Sequence, residues 1–271
     1  MDELILTRQK QYTEEGIVFP IRVLDNNEIS YFRSQYDALE EFLGDKRADP
    51  VYYKQIHLTH PWAYKLALHP SILDTIEPIL GENIIVHGSS VFCKQPNNKQ
   101  YISWHQDGHY FDLSKPNYVT AWIALSDSNA QNGCMRVIPR THTKNYPHTS
   151  ETDVDNMLSS GLTISRSLNE MKAVNVELKA GEMSLHHLNI IHSSQPNTST
   201  TKRLGIAIRY TSPDMVQQLP HHDIILARGK DEYENFNHLE DIPEGSISES
   251  VERQRSVHMA YIQKRLGETE D

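Results

Sequence analysis

A chain of 271 residues has room for one large domain with a buried core, and all-β barrels of this length are often single units, so residues 1–271 are read as one domain. The formal net charge of -10 and pI near 5.8 exclude the surplus of clustered Lys and Arg that a nucleic acid or an anionic membrane surface demands. With two cysteines, Cys93 and Cys134, no basic-then-apolar start and no apolar run of the ~18 residues that cross a bilayer, the sequence points to a cytoplasmic protein, neither disulfide-built nor membrane-spanning.

In chain order, Thr7 is placed to cap a first helix that ends at Gly16, and Ile17-Val18-Phe19 follows as a short strand. Asp25 caps a clearer helix from Asn26 to about Phe42. There Ile29, Phe32, Tyr36, Leu39 and Leu43 recur every three or four residues until Gly44 stops it, so that face should meet the core. Two more helices are predicted over Pro61–Leu68 and Ser71–Leu80, jointed at His69-Pro70 and stopped by Gly81. From Asn83 the apolar runs become short and β-branched or aromatic: Ile84–Val86, Val91-Phe92, Tyr101-Ile102, Tyr118–Leu125, Met135–Ile138, Ala173–Leu178, Glu182–His186 and Leu204–Thr211. Turn-rich pieces separate them, a rhythm that predicts an antiparallel sandwich or jelly roll. Thr149–Leu168 reads as a long, polar, partly helical insertion of the kind that covers a cavity, and the charged tail Asp231–Asp271 as weakly helical around Glu249–Leu266. The expected architecture is therefore a helical part over about residues 1–82, a mostly β barrel core over 83–213 and an extension over 214–271.

Fifteen histidines is many for this length, but His57, His60, His69, His142, His148, His221, His222, His238 and His258 stand in polar or turn-like contexts, where a hydrogen-bonded imidazole is the default. Trp104-His105-Gln106-Asp107-Gly108 differs. On a strand, residues i and i+2 share a face, so His105 and Asp107 can offer an imidazole and a carboxylate to one metal. For the tripeptide alone, a half-buried strand end with two polar residues is the competing reading. Downstream, His192 ends a short apolar strand and Arg203 follows eleven residues later. Two histidines and one carboxylate on one face of an octahedral ion leave the opposite face open, the arrangement of Fe(II) oxygenases. A buried Arg beside such a site has a reason to exist, since its planar fork pairs with the distal carboxylate of 2-oxoglutarate. His186 and His187 lie nearby, but neighbours on a strand face opposite ways, so at most one can point at the cavity.

The sequence resembles the phytanoyl-CoA dioxygenase family of Fe(II)- and 2-oxoglutarate-dependent oxygenases. The likeness runs from about Ile85 to Tyr210 and rests on the His105-Gln106-Asp107 segment, Ala121-Trp122-Ile123-Ala124-Leu125, Asn132–His142, and Ile191-His192-Ser193-Ser194 with Arg203. It implies a double-stranded β-helix with the N-terminal helices packed outside. It also implies His105, Asp107 and His192 as iron ligands, Arg203 as partner of the 2-oxoglutarate carboxylate, Ser194 as a second contact to that carboxylate and Trp122 as part of its pocket. The implied reaction consumes O2 and 2-oxoglutarate, releases succinate and CO2, and hydroxylates a C-H bond of a small-molecule substrate. Related halogenases have a small residue where Asp107 stands, so Asp107 favours hydroxylation, or desaturation or cyclisation, over halogenation.

Two rival readings keep a metal without this chemistry: a non-catalytic metal-binding protein of the same fold, and a cupin-type metalloenzyme that needs no keto acid. Ser194 and Arg203 argue against the first, and the His-X-Asp spacing against the second. Asn132-Gly133 is read as a turn device and Cys134 as a small core residue. Lys54, His57, His87, His109, Tyr110 and Arg136, polar residues near strand ends, are the candidates for a substrate pocket and favour a small polar or anionic substrate. Nothing in the sequence fixes the oligomeric state.

Overall fold

The computed structural model describes residues 3–111, 113–158, 161–164, 168 and 172–267. Its helices are α1 (Glu3–Glu15), α2 (Asn26–Leu43), α3 (Pro61–Ala67), α4 (Pro70–Leu80) and α5 (Ile247–Gly267). The strands are β1 (Ile17–Arg22), β2 (Ile84–Lys94), β3 (Ile102–His105), β4 (Tyr118–Ala124), β5 (Met135–Ile138), β6 (Thr149–Ser150), β7 (Leu162–Thr163), β8 (Val174–Val176), β9 (Glu182–His187), β10 (Ile191–Ser194), β11 (Arg203–Thr211) and β12 (Ile225–Arg228). The protein is thus mostly β, with antiparallel pairing and several helices. Two compact units can be distinguished, one of Met1–Val23, Phe92–Asp112 and Val119–Ile206, the other of Leu24–Val91, Leu113–Tyr118 and Ala207–Asp271.

In the first unit β9 lies between β1 and β4, antiparallel to both, with Ile17 opposite His186 and Ala121 opposite Leu185. Every residue of β4 is buried, which is why its run Tyr118–Ala124 shows no polar alternation. A four-stranded sheet has the order β3-β10-β5-β8, and within it His192 is the register partner of His105 on one side and of Val137 on the other. The second unit carries α2 to α5 and the pairing of β12 with β2. Asp25 begins α2 as expected. Its Oδ1 accepts from Asn27 N at 2.8 Å and Glu28 N at 2.9 Å while Glu28 returns a carboxylate to Asp25 N, a capping box worth about 1 kcal/mol. The predicted stripe of α2 is buried, and Leu39 and Leu43 pack with Tyr52 and Val251 of α5. Among the described residues no helix is long and apolar enough to cross a membrane.

Four expectations need correction. Helix α1 starts before Thr7, whose hydroxyl donates back to the Glu3 carbonyl at 2.8 Å instead of capping. The runs at Ile84 and Val91, read as separate apolar runs, are one eleven-residue strand that continues through Gly88-Ser89-Ser90. In Thr149–Leu168 the described residues form no helix. They make the hairpin β6–β7, tied to β3 by Ser103 Oγ donating to Leu162 O at 2.6 Å and Ile164 N to Trp104 O at 2.8 Å; residues 159, 160 and 165–167 lie outside the description. Finally, β3 stops at His105, and Asp107 opens a 3-10 turn, Asp107–Tyr110.

Candidate active site

His105 and His192 meet because β3 and β10 are neighbours in register, which sets their rings 4.1 Å apart between centroids. Asp107 joins them from the turn after β3, with Oδ1 3.4 Å from His105 Nε2 and 3.8 Å from His192 Nε2. The three ligand atoms lie within 4.8 Å of one another, and all three residues are buried. The strand end, not strand alternation, brings the carboxylate round.

The hydrogen bonds of this triad suit a cation. His105 Nδ1 is 2.9 Å from the Ser103 carbonyl and His192 Nδ1 is 3.0 Å from the Ile190 carbonyl. A carbonyl only accepts, so each Nδ1 carries a proton and each Nε2 is the nitrogen turned towards Asp107. Burial pushes His192 well below the ordinary histidine range, which favours the neutral ring. Two imidazole nitrogens and a carboxylate therefore converge on one point, and a backbone partner on the far nitrogen is how metal-bound histidines are oriented. The donor set of two imidazoles and one carboxylate with open positions fits Fe(II).

Gln106, between the two ligands, is buried and braces the turn. Its Nε2 donates to the carbonyls of Lys144 at 2.7 Å and Asn189 at 2.5 Å, and its Oε1 accepts from Tyr146 N at 2.8 Å. The Gln106 N–H donates to His148 Nε2 at 3.0 Å. These bonds tie the turn carrying Asp107 to the loop that precedes His192.

Arg203 is 1% exposed. Its Nη1 donates to the Gly133 carbonyl at 2.6 Å, its Nε is buried without a partner, and its guanidinium lies 5.2 Å from the centroid of the Trp122 ring. Two glycines make this possible. Gly133 has φ +75°, and a Cβ there would come within 2.3 Å of the Gln195 carbonyl; a Cβ on Gly205 would come within 2.1 Å of the Trp122 ring. Ser194 Oγ accepts from Lys94 Nζ at 2.7 Å, and the same ammonium reaches the carbonyls of Ser194 at 3.3 Å and Gln195 at 2.5 Å. Lys94 is fully buried. Burial, followed by the nearby charge of Arg203, lowers its pKa to about 6, and burial lowers Arg203 to about 10. A buried guanidinium with no carboxylate partner among the described residues, beside a lysine that an arriving anion would help to protonate, is a receptor for an anion.

The structure therefore brings together His105, Asp107 and His192, and separately Arg203, Ser194 and Trp122. Of the pocket candidates in this unit, Tyr110 stands edge-on to the His105 ring at 6.2 Å and His109 stacks on His148 at 4.4 Å. Arg136 is a correction: it lies over the Trp104 ring at 5.4 Å, and Trp104, adjacent to His105 on β3, points to the opposite face. His186 lies 5.1 Å from His192 ring to ring, while His187 turns to Tyr12 and His142. Lys54, His57 and His87 belong to the second unit. Lys94 was not anticipated. The available signal was a lysine closing the apolar run Val91-Phe92-Cys93, where a strand residue with an ammonium needs a reason to be buried.

Residues 12–205 match the family model for Phytanoyl-CoA dioxygenase (PhyH). A probable alpha-ketoglutarate-dependent hypophosphite dioxygenase of Stutzerimonas stutzeri is 27% identical over 196 residues, covering 72% of this chain and 66% of that protein. The peroxisomal phytanoyl-CoA dioxygenase of Homo sapiens is 28% identical over 237 residues, covering 78% and 69%. The chain thus spans about two thirds of the length of these curated relatives. Among solved structures, the non-heme monooxygenase ThoJ in its apo form superposes with a TM-score of 0.82 at 27% identity over 96% of this chain and 98% of that one.

Proposed function

The chain belongs to the phytanoyl-CoA dioxygenase family, and from that premise we propose that it is an Fe(II)- and 2-oxoglutarate-dependent dioxygenase that hydroxylates a C-H bond of a small-molecule substrate. The observation that carries the reading is the convergence of His105, Asp107 and His192, with each imidazole held through Nδ1 by a backbone carbonyl and its Nε2 turned to the carboxylate, in the same unit as the buried Arg203 and Lys94. His105, Asp107 and His192 would hold the iron. Arg203 would bind the distal carboxylate of 2-oxoglutarate, with Lys94 and Ser194 beside it and the Trp122 ring as a wall. When bound, the metal and the keto acid supply O2 activation coupled to loss of CO2 and formation of succinate. The protein's part is to orient and to exclude water, which the burial of all three ligands and of Arg203 serves. Asp107 fills the third ligand position, which supports hydroxylation over halide transfer.

The same reading takes the two antiparallel sheets as the walls of a double-stranded β-helix with helices outside. It also takes residues 1–271 as one oxygenase domain, a reading supported by the likeness to ThoJ over 96% of the chain. The hypophosphite named for the Stutzerimonas relative makes a small oxyanion a substrate to try first. The test is succinate formation from 2-oxoglutarate under O2 with Fe(II) and ascorbate, with and without candidate substrates. Iron-dependent succinate that disappears in Asp107→Ala is the expected result. No succinate from metal-loaded, folded protein with any substrate, together with no 2-oxoglutarate binding, would overturn the reading.

A further inference from the structure

Lys94 ends β2 and is fully buried, and its Nζ has three oxygens around it: Ser194 Oγ at 2.7 Å, Ser194 O at 3.3 Å and Gln195 O at 2.5 Å. The Lys94 carbonyl accepts from Asn197 Nδ2 at 3.1 Å, and the same amide donates to Thr201 O at 2.8 Å. The lysine is thereby fixed to the loop that joins Ser194 to Arg203. Arg203 is tied to the same place. Its Nη1 donates to the Gly133 carbonyl, and Gly133 is packed so closely on Gln195 that a Cβ there would lie 2.3 Å from the carbonyl that Nζ reaches. Strand β10 pairs regularly with β5 from Ile191 to Ser194, so Ser194 shares a face with His192. All of these residues belong to the first unit.

Valence allows this set of oxygens two solutions. The two carbonyls only accept, so each takes an N–H from Nζ. A neutral amine then has both hydrogens used and a lone pair left, to which the Ser194 hydroxyl donates. An ammonium has a third N–H. The Ser194 oxygen must accept it, which turns the Ser194 hydrogen away from Nζ towards another acceptor. Among the described residues the Ser194 hydroxyl has no second partner, so that acceptor has to arrive with a ligand. The charges nearby choose between the two states. Burial, then the charge of Arg203, lowers Lys94 to about 6, and Cys134 opposes this. Cys134 brings no anion at neutral pH, since burial pushes its thiol up to about 11, with Glu177 adding to the rise and Arg203, Lys94 and Arg136 opposing it. Cys93, beside Lys94 in the chain, acts on Arg203. No carboxylate is among the groups acting on Lys94. An anion seated on Arg203 offsets the charge that disfavours the ammonium.

We infer that Lys94 is a positioning residue: it takes up a proton as the distal carboxylate of the co-substrate seats on Arg203, and this reverses its hydrogen bond with Ser194 so that the Ser194 hydroxyl donates to the carboxylate. The inference rests on the reading of Arg203 as the 2-oxoglutarate anchor. The proton comes from the solvent buffer and becomes the third N–H of Nζ, so binding and protonation are linked, and raising the pH opposes binding wherever the free lysine is neutral. Calorimetric titration of 2-oxoglutarate into the anaerobic, Fe(II)-loaded full chain at pH 7.5, in two buffers of different ionisation enthalpy, counts the protons. The unaltered chain should take up close to one per site, and its affinity should fall as pH rises above about 6, by up to about tenfold per unit. Lys94→Met should bind with no uptake and a flat pH profile, which a lysine that merely braces the loop would not produce. Ser194→Ala should keep the uptake and lose about tenfold or more in affinity. Binding to the unaltered chain without proton uptake overturns the inference and leaves the co-substrate reading standing, a result that does not depend on whether Lys94→Met folds. Uptake that persists in folded Lys94→Met does the same. No 2-oxoglutarate binding and no succinate from the iron-loaded, folded chain overturn both.

Discussion

Replacing Arg203 with Ala probes the proposed co-substrate anchor, and the structure sets the size of the effect. The guanidinium is buried, already gives one N–H to the Gly133 carbonyl, and stacks on Trp122, so its remaining donors are preorganised for a ligand carboxylate. Losing a charge-assisted contact of that kind costs about 1.5 to 3 kcal/mol, or about 10- to 150-fold in affinity. Lys94 moderates the loss. Held between Ser194 and Gln195, its Nζ can take up a proton once the Arg203 charge that lowers it is gone, so the single variant should fall near the lower end of that range, and Arg203→Ala combined with Lys94→Met should lose substantially more. Truncation also leaves the Gly133 carbonyl unpaired while removing a buried charge, and these act on stability in opposite senses. Thermal melts run beside a calorimetric 2-oxoglutarate titration of anaerobic, Fe(II)-loaded protein separate the two effects. Arg203→Lys should recover part of the affinity, lacking the planar fork. Unchanged 2-oxoglutarate affinity in a well-folded Arg203→Ala protein would refute the assignment.

Asp107→Ala should lower Fe(II) affinity about a hundredfold or more without a large drop in melting temperature, since it removes the sole anionic donor of the triad; metal content after desalting is the readout. Gly205→Ala should displace the Trp122 ring, which a Cβ would approach to 2.1 Å, destabilising the protein by about 1–3 kcal/mol and raising the 2-oxoglutarate requirement; melts and titration that match the unaltered chain would contradict the packing described. The buried histidines predict acid sensitivity. His57 is lowered from 6.5 to about 3 and His60 and His87 to about 4, in each case first by burial. Between those values the unfolded chain binds protons that the folded chain does not, so stability is full above pH 6.5 and is lost as pH falls from 6.5 towards 4, by about 1.4 kcal/mol per ring per pH unit. Urea midpoints at pH 7.5 and 5.5 should differ markedly, and equal midpoints would count against neutral burial.

What the sequence could convey was whatever depends on local order. The Asp25 cap, the α2 stripe and the Gly44 stop are written within a few residues of where they act, and all three stand in the structure. The grouping of His105, Asp107 and His192 was legible for a different reason: a metal needs particular donor atoms, and few histidines stood beside a carboxylate at chelating separation. The reasoning behind it was only half right, because strand alternation was invoked for His105 and Asp107 where the chain in fact leaves the strand and turns. Thr7 misled because a hydroxyl that can cap a helix can equally bond back to the turn before it. Lys94 stayed hidden because nothing within its own neighbourhood explains it. Its partners, Ser194 and Gln195, lie a hundred residues on, and its purpose emerges only beside Arg203. A buried lysine is costly wherever it stands. Here the cost is shared with a buried arginine and met by hydroxyl and carbonyl oxygens, none of which carries a full negative charge. An arrangement that meets a buried guanidinium with dipoles alone, beside a lysine lowered to about 6, leaves the balancing charge to be delivered from outside, as the proposed dicarboxylate co-substrate would do.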